Sequence, residues 1–363
     1  MTRVLLVCGG TGGHLAPGIA LAEQLASRGA DCLLLVSGKG VDTRMAARYP
    51  TLAFRRGHGR GWGPGLRGRL AFLLLGLVAL ADSLWLLLRR RPAAVVCFGG
   101  YLSLAPALLA RLLLIPVHLH EANRVPGKAV RLLARLASTI HVPPGVSLPS
   151  VPASRLRPGG FPLRAEIGPR PREAARAALG FPAEGRLLLV VGGSQGASAL
   201  TRWSAESFPE LARLGVHLLC LSGPGGRSDE ERSAGSVARF LPFCDRMAEA
   251  YAAADLAVSR AGAGTLAELA ACRLPAVLVP LPSAADDHQS ANARVAAAEG
   301  AARVCPEGEI GSLLSLVAGL LTHPAELDSL RAGQGRVHAA NRWDGLLTAV
   351  LADLPAVRKE AAA

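Results

Sequence analysis

The sequence predicts an α/β fold made of two doubly wound, parallel-sheet domains. Strand and helix patterns alternate along the first half of the chain, which is typical of repeated βαβ units. A segment made of a strand, a glycine turn and a helix begins at Arg3, and a similar segment begins at Arg186. Eight prolines between residues 143 and 171 separate the two segments and predict a domain boundary there. With 363 residues, half of them hydrophobic, the chain is long enough for two cores.

The first element is a run of apolar and β-branched residues over 3–8, which predicts a buried parallel strand. It is followed by the motif GGTGGH at residues 9–14, and then by apolar residues at helical spacing that stop at Gly29. Residues 32–37 form the next predicted strand. Main-chain N–H groups at such a turn point outward, and the helix dipole adds about half a positive charge. The sequence therefore predicts a ligand site at this turn, with His14 beside it.

An apolar helix follows a basic segment. Residues 55–69 are rich in glycine and arginine, which predicts a basic loop, and residues 70–88 are nearly all apolar. Their length allows a membrane span, although Asp82 and the surrounding α/β pattern argue against one. A buried helix of the domain, and a helix with one face towards lipid and arginines at its rim, are the other two interpretations. The flanking arginines favour partial contact of residues 66–91 with a membrane.

Two further strands of the first domain end in polar or glycine-rich segments, at residues 99–101 (GGY) and 120–123 (HEAN). In open parallel sheets ligands bind beyond the carboxyl ends of the strands. We therefore expect residues 11–14 to share one crevice with these two segments. For His120 and Glu121, a purely local role in loop structure is an equally compatible interpretation.

The second domain starts with a predicted strand at 186–191 and the turn GGSQGA at 192–197. Strands at 216–222 and 237–240 follow, and a strand ending at Ser259 leads into the segment RAGAGTLAE. Within this segment Glu268 could accept hydrogen bonds from a ribose diol, or it could only favour the helix dipole. Further strand and loop patterns continue to a last helix at about 342–354, which we expect to brace the first domain.

The net charge of +13 is unevenly distributed. Up to Arg164 there are 21 lysines and arginines against 5 acidic residues, a charge of +16, and the remainder carries −3. A basic surface suits nucleic acid, anionic lipid or an acidic substrate. Aromatic residues are only 4% and do not alternate with the basic ones, so we expect no nucleic-acid partner and favour an anionic membrane surface.

Several classes of chemistry are disfavoured. The seven cysteines form no C-x-x-C pair, which indicates reduced thiols rather than a zinc site, and no signal peptide is expected. No P-loop lysine motif or G-x-S-x-G elbow is present. The first turn is not G-x-G-x-x-G, and the second strand ends at Ser37 where a dinucleotide site needs an acidic residue. We expect no cofactor and, without a D-x-D pair, no metal ion. A diphosphate leaving group would rely on main-chain N–H groups, a helix dipole and Arg164.

Six motifs, in order over nearly the whole chain, closely resemble the MurG family. They are GGTGGH (9–14), GGY (99–101), HEAN-x-x-PG (120–127), GGSQGA (192–197), RAGAGTLAE (260–268) and LPAVLVPLPSAADDHQSANA (274–293). This family transfers N-acetylglucosamine (GlcNAc) from UDP-GlcNAc to undecaprenyl-diphospho-muramoyl-pentapeptide, which converts lipid I to lipid II in peptidoglycan synthesis. The resemblance implies the GT-B glycosyltransferase fold, in which two Rossmann-like domains face a cleft. It further implies an acceptor and membrane-association domain at 1–160, a UDP-GlcNAc domain at 161–341, and a helix with its tail at 342–363 that packs back towards the first domain.

The resemblance also implies roles for individual residues. His14 matches the candidate catalytic base and Glu121 lies near the acceptor as a second candidate catalytic residue, whereas an alternative role for His14 is to bind a phosphate or brace the turn. Glu268 would take the ribose hydroxyls, and Gln289 would take hydroxyls of the transferred sugar. The positions that match donor contacts in the family are Thr11, Gly12, Gly13, Asn123, Arg164, Ser194, the backbone at Cys244, Ala263, Gly264, Thr265, Leu266, Ala267, Glu268 and Gln289. The sequence departs from the family pattern at Ala122, Arg124 and Phe161.

The expected reaction is an inverting, metal-independent single displacement in which the C4 hydroxyl of the muramoyl sugar attacks C1 of GlcNAc. The alternatives are a GT-B enzyme acting on another lipid such as a diacylglycerol, a non-catalytic membrane-bound nucleotide-sugar sensor, and an NAD-dependent oxidoreductase. The expected partners are UDP-GlcNAc, the lipid-linked acceptor, an anionic membrane surface and a cell-wall or division complex. The expected location is peripheral, at the cytoplasmic face of the plasma membrane.

Overall fold

The computed structural model describes residues 2–9, 12–59, 65–193 and 196–354. The chain divides into two compact units. Unit 1 comprises Met1–Arg164 together with Arg342–Ala363, and unit 2 comprises Ala165–Asn341. Each unit contains a sheet of seven strands among the described residues.

Unit 1 alternates strands and helices, as the sequence predicts. Its strands are β1 (Arg3–Val7), β2 (Asp31–Val36), β3 (Ala53–Arg56), β4 (Ala94–Cys97), β5 (Val117–His120), β6 (Thr139–Val142) and β7 (Leu156–Pro158). Its helices before the domain boundary are α1 (Gly12–Ala26), α2 (Gly40–Ala47), α3 (Gly65–Arg90), α4 (Leu104–Leu112) and α5 (Lys128–Leu133). The strands β1 and β4 are almost entirely buried, because a parallel sheet is covered on both faces.

Unit 2 repeats this alternation. Its strands are β8 (Arg186–Val191), β9 (Val216–Leu221), β10 (Asp229–Ser233), β11 (Ser236–Leu241), β12 (Leu256–Ser259), β13 (Ala276–Leu278) and β14 (Ala302–Val304). Its helices are α6 (Arg172–Leu179), α7 (Ser198–Arg213), α8 (Met247–Ala253), α9 (Ala263–Ala271), α10 (His288–Ala298), α11 (Leu313–Thr322) and α12 (Pro324–Ala339). The chain then returns to unit 1 as α13 (Asp344–Ala352).

The strand order places a topological switch point in each sheet. In unit 1 the order is β3-β2-β1-β4-β5-β6-β7, and all neighbours are parallel. In unit 2 the order is β10-β11-β9-β8-β12-β13-β14, with β10 and β11 the antiparallel pair. The connections leave in opposite directions on the two sides of β1/β4 and of β8/β12. Ligands of doubly wound sheets bind at such points, beyond the carboxyl ends of the strands.

The last helix belongs to the core of unit 1. Leu346, Leu347 and Val350 of α13 are buried in one cluster with apolar residues of β1, β2, β4 and α1. At the end of α13, Asp353 lies 2.9 Å from Nε2 of the buried His118 on β5. This helix therefore completes the N-terminal unit although it comes last in the sequence.

The predicted boundaries of the basic loop at 55–69 are wrong at both ends. Ala53–Arg56 forms an edge strand paired with β2, and the apolar helix begins at Gly65 rather than at residue 70. Pairing with the sheet and continuation of the helix override the local preference of glycine for turns. Residues 60–64 of this segment lie outside the described residues.

Candidate functional site

The glycine turn of unit 1 lies between β1 and α1. A Cβ atom at Gly9 would lie 2.2 Å from Cδ2 of Leu102, so that only glycine fits this close approach. Helix α1 begins at Gly12, and Gly13 is its second residue, as the turn pattern predicts. Thr11, a predicted donor contact, lies outside the described residues.

His14 sits on the first turn of α1 with its ring held by the turn itself. Its Nδ1 atom lies 3.1 Å from the carbonyl oxygen of Gly9. Because a carbonyl only accepts, Nδ1 carries the proton and Nε2 keeps a free lone pair. Burial lowers the pKa of His14 from 6.5, while the negative charge of Glu121 opposes this shift. The imidazole is therefore neutral at pH 7, and Nε2 is able to take up a proton.

The GGY segment makes space around this imidazole. Gly99 and Gly100 have φ angles of +93° and +75°, which favour glycine. A Cβ atom at Gly99 would lie 3.5 Å from Nε2 of His14, and one at Gly100 would lie 2.4 Å from the carbonyl oxygen of Gly9. The absence of a side chain at Gly99 thus keeps open the space next to Nε2, and its absence at Gly100 leaves room for the Gly9 carbonyl that holds Nδ1.

Glu121 organises the loop that follows β5. One of its carboxylate oxygens accepts hydrogen bonds from the main-chain N of Asn123 at 2.8 Å and from its side-chain amide at 2.9 Å. The other accepts from the main-chain N of Gly127 at 3.3 Å. Glu121 is only 6% exposed. These contacts explain the spacing of the HEAN-x-x-PG motif and agree with the local-structure interpretation, while a catalytic role for Glu121 stays a prediction.

Two of the three departures from the family pattern make contacts that the structure describes. The Phe161 ring meets the ring of His120 edge-on at 6.2 Å, and the Arg124 guanidinium donates to the carbonyl oxygen of Pro144 at 2.6 Å. His120 is fixed by a 2.8 Å contact from Nε2 to the carbonyl oxygen of Gly160, and burial lowers its pKa to about 4. Ala122 follows Glu121 in the same loop. Arg164, the last residue of the first chain segment of unit 1, is buried.

The glycine turn of unit 2 follows β8 and resembles that of unit 1. A Cβ atom at Gly192 would lie 2.5 Å from the main-chain N of Ala197. Gly196 has a φ angle of +75°, and a Cβ atom there would lie 2.4 Å from the carbonyl oxygen of Ser222. Ser194, the predicted diphosphate contact, lies outside the described residues.

On the other side of this switch point, β12 leads into α9. Gly262 occupies the N-cap position of the helix. The predicted donor contacts on its first two turns are all partly exposed; these are Ala263, Gly264, Thr265, Leu266, Ala267 and Glu268. One carboxylate oxygen of Glu268 accepts a 2.8 Å hydrogen bond from the hydroxyl of the buried Tyr251. The carboxylate is therefore oriented before any ligand arrives, and N–H groups at the start of α9 favour an anion.

Gln289 is oriented in a similar way. Its side-chain oxygen accepts a hydrogen bond from the main-chain N of Leu281 at 2.9 Å. The amide nitrogen is thus the group left to contact a sugar, and it acts as a donor. Asp286 and Asp287, just before α10, have φ angles of 54° and 51°, a strained conformation that is common in ligand-binding segments. Cys244, whose backbone is a predicted contact, is buried after β11.

Three residues that support this site were missed by sequence reasoning. Tyr251 holds Glu268, Asn292 donates from its side-chain amide to the carbonyl oxygen of Ala261 at 3.0 Å, and Arg260 joins the ends of β12 and β13. Asn292 and Arg260 lie within motifs that the sequence singles out, so their polarity inside otherwise apolar segments was an available signal. Tyr251 lies on another helix, and nothing in its local sequence connects it to Glu268.

The surface of α3 is unusually apolar. Among the described residues, α3 is the one single helix that is long and apolar enough to cross a membrane, by length and composition, over Phe72–Arg90, and 17% of its most apolar stretch is buried. Glu307–Thr322 and Pro324–Ala352 pass the same test only together, with a bend of 95° between them. Among the side chains of α3 that the structure describes, the buried ones form one narrow face: Ala79, Ser83, Leu86 and Leu87. The exposed large side chains of the helix are Leu70, Leu73, Leu74, Leu75, Leu77, Val78, Leu84, Trp85 and Leu88. The interpretation of this segment as a buried helix is therefore wrong for most of its surface.

Arginines lie around Asp82, the charged residue that interrupts the apolar sequence of α3. Asp82 forms an ion pair with Arg55 of β3. The guanidinium carbons of Arg55 and Arg89 lie 5.0 Å and 5.5 Å from the centre of the Trp85 ring. Such cation–π contacts place the charged groups around an exposed aromatic side chain.

Comparison with known proteins agrees with this architecture. A model of the glycosyltransferase family 28 N-terminal domain matches residues 4–142, and a model of the C-terminal domain of the same family matches residues 187–339. The crystal structure of Acinetobacter baumannii MurG superimposes with a TM-score of 0.68 at 27% identity and covers 96% of this chain and 99% of its own. A glycosyltransferase of kitacinnamycin has a TM-score of 0.73 at 18% identity, covering 98% of this chain and 99% of its own, which supports the fold alone.

Curated relatives are more similar in sequence. The UDP-N-acetylglucosamine–N-acetylmuramyl-(pentapeptide) pyrophosphoryl-undecaprenol N-acetylglucosamine transferase of Opitutus terrae is 44% identical over 96% of this chain and 94% of its own. The transferase of the same name from Parasynechococcus marenigrum is 38% identical over 93% of this chain and 95% of its own.

The two doubly wound units, each with a glycine turn at its switch point, define a glycosyltransferase of the GT-B class. This confirms the fold class that the sequence predicts. The chain belongs to the MurG family, within glycosyltransferase family 28, as its six motifs indicate.

Proposed function

We propose that this chain transfers GlcNAc from UDP-GlcNAc to undecaprenyl-diphospho-MurNAc-pentapeptide, the step from lipid I to lipid II in peptidoglycan synthesis. The substrates follow from family membership, since the Opitutus terrae transferase of that printed name is 44% identical over 96% of this chain. The observation that carries the chemistry is the His14 ring, whose bond to the Gly9 carbonyl leaves Nε2 as a neutral acceptor in a space kept open by Gly99. A sensor or a dehydrogenase has no need for this arrangement.

In the proposed mechanism His14 is the general base. Nε2 takes the proton of the acceptor C4 hydroxyl while its oxygen forms a bond to C1 of GlcNAc. The bond between C1 and the UDP oxygen breaks, the electron pair leaves with UDP, and the configuration at C1 inverts. A positioned base contributes about 10²–10⁴-fold to the rate, and burial, which lowers the pKa of His14, keeps the ring neutral at pH 7.

Unit 2 is proposed to hold the donor. The first turns of α9 provide N–H groups and a helix dipole for the diphosphate, and the carboxylate of Glu268, held by Tyr251, accepts hydrogen bonds from the ribose hydroxyls. The side-chain nitrogen of Gln289 donates to hydroxyl oxygens of the sugar. The remaining predicted donor contacts of unit 1, among them Asn123 and Arg164, stay part of this proposal, as do Thr11 and Ser194.

For Glu121 we propose that it braces the acceptor-side loop rather than transferring a proton. Both of its carboxylate oxygens already accept hydrogen bonds from Asn123 and Gly127. Its charge also opposes the burial effect on the pKa of His14. In this role Glu121 shapes the loop and keeps the base from becoming too weak.

We further propose that α3 rests on the cytoplasmic face of the plasma membrane. Its buried face, including Leu86 and Leu87, belongs to the core of unit 1, so a full span would remove these side chains from their packing. The exposed apolar face and the arginines that frame Trp85 instead fit insertion into one leaflet rich in anionic lipid. A lipid-linked acceptor requires such contact. Recruitment by a cell-wall or division complex stays a prediction.

The function is tested by measuring UDP release from UDP-GlcNAc with lipid-linked muramoyl-pentapeptide as the acceptor, and with a diacylglycerol as the alternative acceptor. We expect turnover with the muramoyl lipid only, and a disaccharide product with a β linkage. Titrations with UDP, UDP-GlcNAc and NADH accompany the assay, and only the two uridine nucleotides are expected to bind. Turnover with the diacylglycerol alone, or binding of NADH without UDP, would contradict the proposal.

A further inference from the structure

A buried arginine links two segments that the proposed function assigns to the donor. Arg260 follows β12 directly and is 6% exposed. Its guanidinium donates to the carbonyl oxygens of Val279 at 3.1 Å and Pro280 at 3.3 Å, at the end of the neighbouring strand β13. It also forms an ion pair with Glu307, which follows β14. One side chain therefore joins the ends of three strands.

The turn that Arg260 holds is the turn that orients Gln289. The residue after Pro280 is Leu281, whose main-chain N donates to the side-chain oxygen of Gln289 at 2.9 Å. If this bond were lost, the amide of Gln289 could rotate and present its oxygen in place of its nitrogen. A displacement of the 279–281 turn would therefore change what Gln289 offers to a sugar hydroxyl.

The main chain of Arg260 has a separate role. Its N–H donates to the carbonyl oxygen of Val191 at 3.2 Å, and the next carbonyl, of Ala261, accepts from Asn292 at 3.0 Å. These bonds fix the approach to α9 without using the guanidinium. Disturbing the side chain of Arg260 should thus affect the segment around Gln289 more than the segment that carries Glu268.

Glu307 is the anionic partner of this guanidinium, which the carbonyl oxygens of Val279 and Pro280 also hold. The guanidinium is buried and the carboxylate is partly buried, so removing the carboxylate leaves a buried positive charge that shifts towards water or other acceptors. Glu307 itself belongs to none of the segments assigned to the donor. The ion pair with Arg260 connects Glu307 to those segments.

We propose that Glu307 is a positioning residue for the donor sugar, which acts through Arg260 and the 279–281 turn to fix the amide of Gln289 and so contributes to the preference for GlcNAc over an epimeric sugar. This inference rests on the proposed function, since it assigns the sugar-binding role to Gln289. Discrimination between epimers by hydrogen bonds to one hydroxyl depends on accurate placement of the polar group. If the N–H group of the Gln289 amide points in the wrong direction, the sugar hydroxyl is left without a hydrogen bond, which costs affinity.

The test compares wild type, Glu307→Gln, Gln289→Ala and the double variant. Dissociation constants for UDP, UDP-GlcNAc and UDP-N-acetylgalactosamine are measured by calorimetry, together with kcat/KM for both sugars. We expect the affinity of Glu307→Gln for UDP to stay within about twofold of the wild-type value. We expect the ratio of its affinities for the two UDP-sugars, which measures the preference for GlcNAc, to fall about tenfold. In the Gln289→Ala background, Glu307→Gln should change the preference no further, because the two residues act as one unit.

Glu326→Gln is the matched control. Glu326 pairs with Arg303 of β14 in the same unit, and both side chains are half exposed, so this variant removes the same charge away from the turn. It should keep the wild-type preference. If Glu307→Gln does not fold, Glu307→Asp replaces it, with a loss of preference in the same direction.

An unchanged sugar preference in Glu307→Gln would overturn the inference, and so would a loss of UDP affinity as large as the loss of UDP-GlcNAc affinity. An additive effect in the double variant would also overturn it. A wild-type protein that binds both UDP-sugars but does not glycosylate the lipid acceptor would contradict the proposed function instead. The ratio of the dissociation constants would still decide the role of Glu307 in that case.

Discussion

The two units of this molecule share an architecture but carry different chemistry at the same place. Within the parts of the chain that the structure describes, both have a seven-stranded sheet with a glycine turn at the switch point, after β1 in unit 1 and after β8 in unit 2. In unit 1 the turn holds an imidazole whose pKa is lowered by burial. In unit 2 the corresponding edge holds a carboxylate and an amide, each fixed by a neutral hydrogen-bond donor. The strand ends thus fix where a site lies, and the side chains after them decide what it does.

The surfaces of the two units differ as well. Up to Arg164 the charge is +16, whereas the remainder of the chain carries −3. Among the described residues, the exposed large hydrophobic side chains lie in unit 1 with the exception of Leu214. This contrast is consistent with the proposed roles of the two units, in which unit 1 contacts an anionic lipid surface and unit 2 binds the nucleotide-sugar.

The largest effect is expected for His14→Ala. Removal of the base should lower kcat by about 10²–10⁴-fold, while the affinity for UDP-GlcNAc stays within about twofold. Steady-state kinetics and a titration with UDP-GlcNAc measure the two quantities. His338→Ala, at an exposed histidine on α12, is the control and should behave as wild type. Retained turnover in His14→Ala would remove His14 from the role of base.

Gly100→Ala and Gly196→Ala disturb the two units in parallel. Each adds a Cβ atom 2.4 Å from a carbonyl oxygen at a residue with a φ angle of +75°. Strain and displacement of this kind cost about 1–3 kcal/mol, which corresponds to a change of about tenfold or more. We expect Gly100→Ala to lower kcat, because it moves the Gly9 carbonyl that holds His14, and Gly196→Ala to raise KM for UDP-GlcNAc.

Two further glycines provide controls for this pair. Gly29 and Gly215 also have positive φ angles, but an added Cβ atom would meet nothing within 4 Å at either position. Gly29→Ala and Gly215→Ala should therefore cost stability without changing the ratio of kcat to KM. If all four variants altered the same kinetic constant, the assignment of separate roles to the two turns would fail.

Acid should destabilise unit 1 through its buried histidines. Burial lowers the pKa of His120 to about 4 and that of His141 to about 3, against about 6.5 in an unfolded chain. Both take up a proton on unfolding below pH 6.5, so the free energy of unfolding falls as the pH decreases. Both ring nitrogens of His141 lack a hydrogen-bond partner among the described residues, so an apolar replacement suits the site.

His141→Leu should reduce this acid loss by about 1.5–2 kcal/mol between pH 6.5 and pH 5. Urea denaturation at the two pH values, followed by hydrogen exchange in β5 and β6, measures the difference. Between the same two pH values, the free energy of unfolding of the control His338→Leu should fall by as much as that of wild type. An equal loss in all three proteins would show that the acid response originates elsewhere.

The smallest effect is expected at the membrane surface. Leu73 and Leu77 on α3 are 59% and 65% exposed, and their joint replacement by glutamate should weaken binding to vesicles that contain phosphatidylglycerol by about tenfold. Co-sedimentation with these vesicles, and with phosphatidylcholine vesicles, measures the affinity. Leu214→Glu in unit 2 changes a comparably exposed leucine and should leave vesicle binding unaffected. Equal weakening by both changes would argue against α3 as the contact.

Much of the fold could be predicted from the sequence because buried parallel strands appear in it as apolar runs that end in glycine. The strand β10, with the sequence DEERS, was not predicted. An exposed antiparallel edge strand has no apolar pattern, and β10 depends on its pairing with β11. The resemblance to the MurG family assigns Glu268 and Gln289 to the donor, and this assignment stays a prediction. Their partners Tyr251 and Leu281 come from other elements, and only the packed structure brings them together.

Hydrogen–deuterium exchange with and without UDP tests whether the nucleotide binds to unit 2 while unit 1 provides the base. We predict that UDP protects the main-chain amides of Gly262–Glu268 and of residues 281–289 most strongly, and that His14→Ala leaves this protection unchanged. Protection confined to the turn of unit 1 and the Glu121–Gly127 loop, with none at α9, would contradict it.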